Sequence, residues 1–91
     1  MTTPVPPTLA DYGDTIQINP AGGNDTGGTF KTYRSTTGGP PWVEAVAVAW
    51  NRPGLVGRDN FSPPCYIYAT EVGNGQNYLG QSTASNILHL T

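Results

Sequence analysis

The sequence predicts a small all-β domain, an antiparallel sandwich or barrel of about six short strands with an extended N-terminal arm. Apolar and polar residues alternate in several short segments, and clusters of turn-forming residues separate those segments. The chain has 91 residues, 12 glycines and 9 prolines, and a chain of this length cannot divide its apolar residues between two cores. We therefore predict an arm over residues 1–13 and a single β domain over residues 14–91.

The predicted arm has no hydrophobic periodicity, and its three closely spaced prolines favour an extended, polyproline-like conformation. Two interpretations remain open, a frayed terminus and an arm that lies on a neighbouring subunit. The candidate partner-binding residues of the arm are Pro4, Val5, Pro6, Pro7, Leu9 and Tyr12.

The segment 14–19 alternates with the period of a half-buried strand, and the segment 29–35 is predicted to be a second strand. In the first, Ile16 and Ile18 share one face. A Gly-rich loop separates the two segments, so we expect them to form a hairpin with a mobile tip.

The segment 42–50 is open to two interpretations. As a helix it would have Pro41 near its first turn; as a strand it would place tryptophan and valine on one face and alanine on the other. The valine–alanine alternation favours the strand. Its tryptophan and valine face would then make the main contribution to the core.

The segment 51–64 is predicted to be a connection between strands. Loops of this length are uncommon in compact domains and are often functional, although a solvated crossover between two sheets is an equal alternative. On the functional interpretation, apolar anchors would insert into a partner, with basic residues at the rim. These candidate residues are Arg52, Leu55, Val56, Arg58 and Phe61.

The last third of the chain predicts three further strands. The segment 65–72 alternates, and the Asn-Gly pair that follows it is a strong hairpin signal. We expect residues 77–82 to return antiparallel and residues 86–90 to form the last strand.

The charge balance argues against several kinds of partner. Four basic and six acidic residues give a net charge of −2, which provides no basic face for nucleic acid. The sequence has no apolar run long enough for a transmembrane helix, and its first residues lack the features of a secretory signal. We expect neither a nucleic-acid nor a membrane partner.

Residues for catalysis or for a bound metal are few. One cysteine and one histidine are too few for a structural zinc site. His89 lies between two leucines of a predicted strand, where it would point to the face opposite theirs. Cys65 has no charged residue within five positions that would lower its pKa. We therefore expect a protein that is not an enzyme and that has no cofactor and no metal.

The aromatic residues allow a second kind of binding. Exposed rings can stack on the apolar face of a sugar, although tryptophans in a chain with few aliphatic residues are also expected in the core. The candidate glycan-stacking residues are Trp42, Trp50, Tyr66 and Tyr68.

The composition, with 11% charged residues and much glycine, proline, threonine and asparagine, resembles that of small tailed-phage accessory structural proteins. The resemblance covers composition and layout across the whole chain. It implies a capsid decoration or cement protein, or a tail component, that is made in the host cytoplasm and resides in the virion. Such a protein would be a homo-oligomer that binds and bridges major capsid subunits and so stabilises the particle. The alternative is a carbohydrate-binding, lectin-like β-sandwich module.

Overall fold

The structure is a computed structural model that describes residues 2–21 and 27–91. The described residues form seven β-strands and one short 3₁₀ helix, Arg58–Phe61. The strands are β1 (Thr8–Asp11), β2 (Thr15–Asn19), β3 (Thr29–Ser35), β4 (Val43–Ala49), β5 (Gly54–Gly57), β6 (Cys65–Val72) and β7 (Leu88–Leu90). They make two antiparallel sheets, with the strand orders β1-β2-β5 and β4-β3-β6-β7. The prediction of a small all-β, sandwich-like domain is confirmed.

The core lies between the two sheets and is built by the inward-facing side chains of strands in which inward and outward residues alternate. Ile16 and Ile18 of β2 are fully buried against Phe30 of β3 and Ile67 of β6. The buried apolar residues are Leu9, Ile16, Ile18, Phe30, Val56, Phe61, Cys65, Ile67, Ala69 and Leu90. Antiparallel sandwiches of this kind occur in many proteins of unrelated function, so the fold alone does not identify what this one does.

The segment 42–50 is a strand, which decides between the two interpretations of the sequence. It lies at the edge of its sheet, however, so its tryptophan and valine face is not the main part of the core. Val46, Val48 and Trp50 are only half-buried and pack against the core. An edge strand has a neighbour on one side only, and this limits how much of it can be buried.

A β-bulge interrupts β4. Lys31 is paired with Ala47 and Tyr33 with Glu44, so that two residues of β4 stand opposite the single residue Thr32. The Thr32 hydroxyl donates a hydrogen bond to the Val46 carbonyl inside the bulge. A bulge of this kind bends an edge strand and disfavours pairing with a further strand.

The hairpin expected from segments 14–19 and 29–35 is absent, because β2 and β3 lie in different sheets. β2 pairs with β1 and β5, and β3 pairs with β4 and β6. The chain between them is long enough to cross from one sheet to the other. The predicted mobile tip falls on residues 22–26, which are outside the described residues.

The predicted connection 51–64 contains β5 and the 3₁₀ helix instead of a loop. Val56 and Phe61, expected to be exposed anchors, are 7% and 1% exposed and belong to the core. Leu55, which points away from the core, is 57% exposed. The strand was missed because it is only four residues long and has a glycine at each end.

Residues 77–82 return antiparallel as predicted, but they do not form a regular strand. Val72 and Gln81 form an isolated antiparallel bridge, and the N–H groups of Gly73 and Ser82 donate to the carbonyls of Gly80 and Glu71 at 2.9 and 2.8 Å. The hydroxyls of Ser82 and Ser85 instead accept hydrogen bonds from the backbone N–H groups of Glu71 and Ala69, each 2.8 Å long. Two serine side chains thus cover part of the β6 edge, and a regular strand starts only at Leu88.

The predicted arm lies on its own domain. Residues 8–11 form β1, and Leu9 is 3% exposed. The Asn86 side chain accepts a hydrogen bond from the Leu9 N–H (2.8 Å) and donates one to the Leu9 carbonyl (3.1 Å). Thr2 makes backbone hydrogen bonds with Asn77 and Leu79. Residues 2–9 therefore run parallel to residues 79–86. Burying Leu9 and the nearby prolines favours this docking over a free arm.

Candidate functional site

The outer side of the four-stranded sheet carries a cluster of rings, called here the aromatic face. Ile67 and Ala69 of β6 are buried in the core, so Tyr66 and Tyr68, which alternate with them, point outward. The strand register adds further rings opposite these two tyrosines. The aromatic face consists of Tyr33, Trp42, Tyr66, Tyr68 and His89.

The rings of the aromatic face support one another across the strands. Tyr33 and Tyr68 stack with centroids 4.9 Å apart and an interplanar angle of 18°. Trp42 meets Tyr68 edge-on, with centroids 4.8 Å apart. Tyr66 and His89 stack at 4.2 Å and 7°. The stacking distances are near the spacing of paired strands, about 4.8 Å, so these rings stand upright and hold one another in place.

Polar groups at this surface are already engaged. The Gln81 amide donates hydrogen bonds of 2.7 Å to the Tyr33 hydroxyl and to the Thr70 hydroxyl. Lys31 and Glu44 form an exposed ion pair with an N–O distance of 3.7 Å. Burial raises the pKa of Tyr68 above its usual value, and the neighbouring Tyr33 adds to this effect. The tyrosine is therefore uncharged at physiological pH.

The four predicted glycan-stacking residues do not form one platform. Trp42, Tyr66 and Tyr68 lie together on the aromatic face. Trp50 lies elsewhere, stacked on Phe30 at 6.4 Å with the Arg52 guanidinium 5.5 Å from its ring centroid.

The tyrosines of the aromatic face are not free platforms. Tyr66 and Tyr68 each have one ring face stacked on a neighbouring ring, and Trp42 meets Tyr68 edge-on, which reduces the ring surface on which a ligand could stack. Sugar stacking at this face stays a prediction, and the geometry does not favour it.

Two rings of the aromatic face were missed by the sequence analysis. Tyr33 and His89 join the cluster only because β3 and β7 pair with β6 in this register. A strand over 29–35 has Tyr33 on the face opposite Phe30, and that was the available signal. The sequence pattern did not indicate which strands pair or in which register they pair.

The other predicted binding residues are divided among several places. Pro4, Pro7 and Leu9 are buried, Pro6 is half-buried, and Val5 and Tyr12 are 51% and 65% exposed. Of the predicted loop residues that are not in the core, Arg52 and Leu55 are exposed. β1 and β5 lie at opposite edges of the three-stranded sheet, so the arm and loop residues do not make one surface.

Arg58, predicted to lie at the rim of a binding loop, instead makes contacts within the domain. Its guanidinium donates to both carboxylate oxygens of Asp11, at 2.8 and 2.9 Å. It also donates to the carbonyls of Gly13 and Thr91, at 3.3 and 3.2 Å. These contacts connect β1, the 3₁₀ helix and the last residue.

The structure separates the residues that could have formed a thiol–imidazole pair. Cys65 pairs with Leu90 and faces the core, whereas His89 pairs with Tyr66 and faces outward. The prediction that His89 lies opposite the two leucines is confirmed.

No metal centre is visible within residues 2–21 and 27–91, since no three His, Cys, Asp or Glu side chains there are grouped as metal ligands. A cleft of about 360 Å³ is lined by Asp14, Arg58, Asp59 and Pro63. A second, of about 260 Å³, lies along the start of β4 beside Arg34.

No protein-family model matches the chain, and neither the curated proteins nor the known structures contain a match to it. In the described part of the chain, no helix is long and apolar enough to cross a membrane.

Proposed function

We propose that this protein is a non-enzymatic structural protein of a virus particle, a capsid decoration or cement protein that binds and bridges major capsid subunits. The observation that carries the proposal is the aromatic face. Tyrosine and tryptophan dominate the energetic centres of protein interfaces, because their rings bring large contact areas with few rotatable bonds. Here the rings are also held in place before binding, so that little side-chain entropy is lost.

The two outer surfaces of the sandwich differ, which supports assigning the interface to one of them. The outward residues of β2 are the half-buried Thr15, Gln17 and Asn19. The exposed Tyr12, which follows β1, and the exposed Leu55 of β5 lie at opposite edges of this sheet, so this surface offers a partner two separate side chains and not a cluster of anchors. The four-stranded sheet carries the rings and is the better interface.

The edges of both sheets disfavour pairing with an added strand, which supports binding through a sheet face. Asn86 covers the backbone of β1 at Leu9, and a bulge bends β4. β5 and β7 have only four and three residues. Short, bulged or covered edges disfavour pairing with another chain.

The low charge of the chain supports a protein that is covered by other subunits. Only 11% of its residues are charged, and protein interfaces are depleted in charged residues at their centres. The resemblance in composition to small tailed-phage accessory proteins supports a virus particle as the assembly to which the chain belongs. The carbohydrate-binding alternative needs open ring faces, and Tyr66 and Tyr68 each have one face stacked on a neighbouring ring.

The proposal predicts that the chain is found in purified virus particles. Particles produced by the chain's natural source would be separated on a density gradient, and the ratio of the chain to the major capsid protein would be measured by mass spectrometry. We expect Trp42→Ala and Tyr68→Ala to lower binding to particles about 30-fold or more, as loss of a central aromatic anchor does. Leu55→Ala, on the other sheet, is the matched control and should bind normally.

Thermal unfolding of each variant would confirm that it is folded. Wild-type chain that stays with soluble protein at the top of the gradient would contradict the proposal. If that chain also bound immobilised glycans, with Trp42→Ala abolishing the binding, the carbohydrate alternative would replace it.

A further inference from the structure

We propose that the cleft beside Arg34 binds an acidic side chain of a capsid subunit, whose carboxylate pairs with the Arg34 guanidinium. The inference rests on the proposed function only in naming the capsid subunit as the partner. The cleft lies along the start of β4 and has a volume of about 260 Å³. Its lining includes Arg34, Pro41, Val43, Glu44 and Ala45.

Two backbone carbonyls hold the Arg34 guanidinium in place. Its Nε donates a hydrogen bond of 2.6 Å to the Phe61 carbonyl, and its Nη2 donates one of 3.0 Å to the Ser62 carbonyl. Phe61 ends the 3₁₀ helix and is buried in the core, so its carbonyl is a fixed acceptor. A guanidinium that is already positioned loses little conformational entropy when it binds a ligand.

These two hydrogen bonds occupy one edge of the guanidinium and leave another for a ligand. The group has five N–H donors in a planar fork, and the bonds to Phe61 and Ser62 use the edge formed by Nε and Nη2. Both N–H groups of Nη1 and the second N–H of Nη2 remain. The edge that they form matches the two oxygens of a carboxylate, which can accept from both nitrogens at once.

The Arg34 charge has no opposite charge beside it in the described part of the chain. The ion pairs there join Lys31 to Glu44 and Arg58 to Asp11, and the carbonyls that Arg34 contacts carry no net charge. Glu44 also lines the cleft, but Lys31 at 3.7 Å balances its charge. Arg34 is half-buried, and a partly buried charge without a counter-charge is unfavourable. A carboxylate from a partner supplies that counter-charge.

The size and lining of the cleft favour a single acidic side chain as the occupant. Pockets for drug-sized molecules usually measure about 300–1,000 Å³, and this cleft of about 260 Å³ is smaller. Pro41, Val43 and Ala45 offer apolar contacts to the methylene groups of such a side chain, and Val43 is 63% exposed. Apolar surroundings also strengthen the attraction between a guanidinium and a carboxylate.

The position of the cleft lets one copy of the chain contact two capsid subunits. Arg34 follows Tyr33 in β3, so the two side chains point to opposite sides of the sheet. Tyr33 belongs to the aromatic face, and the guanidinium in the cleft is therefore on the side opposite the rings. One capsid subunit can cover the aromatic face while a neighbouring subunit places a carboxylate on Arg34.

The first measurement is an NMR titration of the wild-type chain with N-acetylglutamate amide and N-acetylglutamine amide, two probes of nearly the same shape that differ in charge. We expect the acidic probe to shift the signals of the Arg34 Nε–H and the Val43 methyl groups saturably. It should bind at least about tenfold more tightly than the neutral probe, because hydrogen bonds between charged groups are stronger. No saturable shift at Arg34, or equal binding of the two probes, would overturn the inference.

Two variants at Val43 test the charge pairing and keep every contact of Arg34. Val43 is paired with Arg34 in the strand register, so Val43→Asp puts a carboxylate beside the guanidinium, where it competes with the acidic probe and repels it. We expect binding at least about tenfold weaker than wild type. Val43→Asn has the same size without the charge, is the matched control and should bind within about threefold of wild type. Equal binding by the two variants would contradict the inference, provided that thermal unfolding shows both to be folded.

Binding of the same two variants to purified virus particles tests the partner. We expect Val43→Asp to bind particles at least about tenfold more weakly than Val43→Asn. If the two bind particles equally while Trp42→Ala does not bind, the function stands and the inference fails. If the wild-type chain binds the acidic probe but is absent from particles, the function fails and so does the capsid as the source of the carboxylate, whereas Arg34 remains a carboxylate site.

Discussion

Two glycines of this chain differ in the space that a side chain would have at their positions. A Cβ atom on Gly28 would lie 2.0 Å from the backbone carbonyl oxygen of Val72, a distance at which the chain has to shift. A Cβ atom on Gly39 would meet nothing within 4 Å, and this glycine does not have the positive φ that disfavours other residues. Neither difference is visible in the sequence, where both residues belong to Gly-Gly pairs.

The comparison predicts opposite effects of the same substitution. Gly28→Ala should lower the free energy of unfolding by more than about 2 kcal/mol, because a backbone clash has no flexible side chain to relieve it. Gly39→Ala should leave it unchanged or raise it by up to about 1 kcal/mol, because alanine restricts the unfolded chain. Urea unfolding of both variants measures this, and equal losses would contradict the prediction.

At the scale of the strands, the sequence determined where several strands lie but not which strands pair. β3 and β6 have the bounds that the sequence predicted, because glycine or proline residues lie close to both ends of each segment. The partners of β2 could not be predicted, since turn residues mark where a strand ends and do not say which sheet the next one joins. β5 was hidden because half of its four residues are glycine.

For the aromatic face too, the sequence indicates which side chains point outward, whereas strand pairing determines which rings stack on each other. The outward direction of Tyr66 and Tyr68 follows from their alternation with Cys65 and Ile67, which the sequence shows. Their stacking on His89 and Tyr33 depends on strand register. Register is decided by the packing of both sheets together, and for that reason the sequence indicated tyrosines but not the cluster.

One side chain, that of Asn86, holds the edge of β1 that does not pair with β2, which leads to a prediction for that element. Asn86→Ala would leave the N–H and carbonyl groups of Leu9 without these partners in a partly buried position. We expect a loss of about 1–3 kcal/mol of stability and faster amide hydrogen exchange in β1. Asn19→Ala is the matched control, since Asn19 makes one exposed hydrogen bond of 3.5 Å to the Thr8 carbonyl. Equal effects of the two variants would mean that Asn86 does not hold β1.

At the scale of the whole molecule, the Asp11–Arg58 pair makes stability depend on pH. The hydrogen bonds from Arg58 and from the Gly13 backbone lower the pKa of Asp11 below its usual value of 3.8. A carboxyl with a lowered pKa in the folded state stabilises that state above its usual pKa. The stabilisation by ionised Asp11 is lost as the pH falls from about 3.8 through the lowered pKa of the folded state.

Asp11→Asn keeps the acceptor oxygen for the Gly13 N–H but removes the charge. We expect this variant to be less stable than wild type by up to about 1 kcal/mol at pH 7, the usual size for an exposed ion pair. The difference should be smaller at about pH 3 than at pH 7, because wild-type Asp11 takes up a proton as the pH falls below 3.8. Urea unfolding at both pH values measures it, with Asp59→Asn as control. A difference that persists unchanged in acid would contradict the ionic origin of the effect.

The parallel course of residues 2–9 and 79–86 has a consequence for how the molecule bears mechanical load. Thr2 lies at one end of β6, near Tyr78, and Thr91 follows the residue that pairs with Cys65 at the other end. A force that pulls these two residues apart acts along the strands, in opposite directions on the two segments. The hydrogen bonds between Leu9 and Asn86 are then loaded in shear and have to break together, so tension meets more resistance than it would if they opened one at a time.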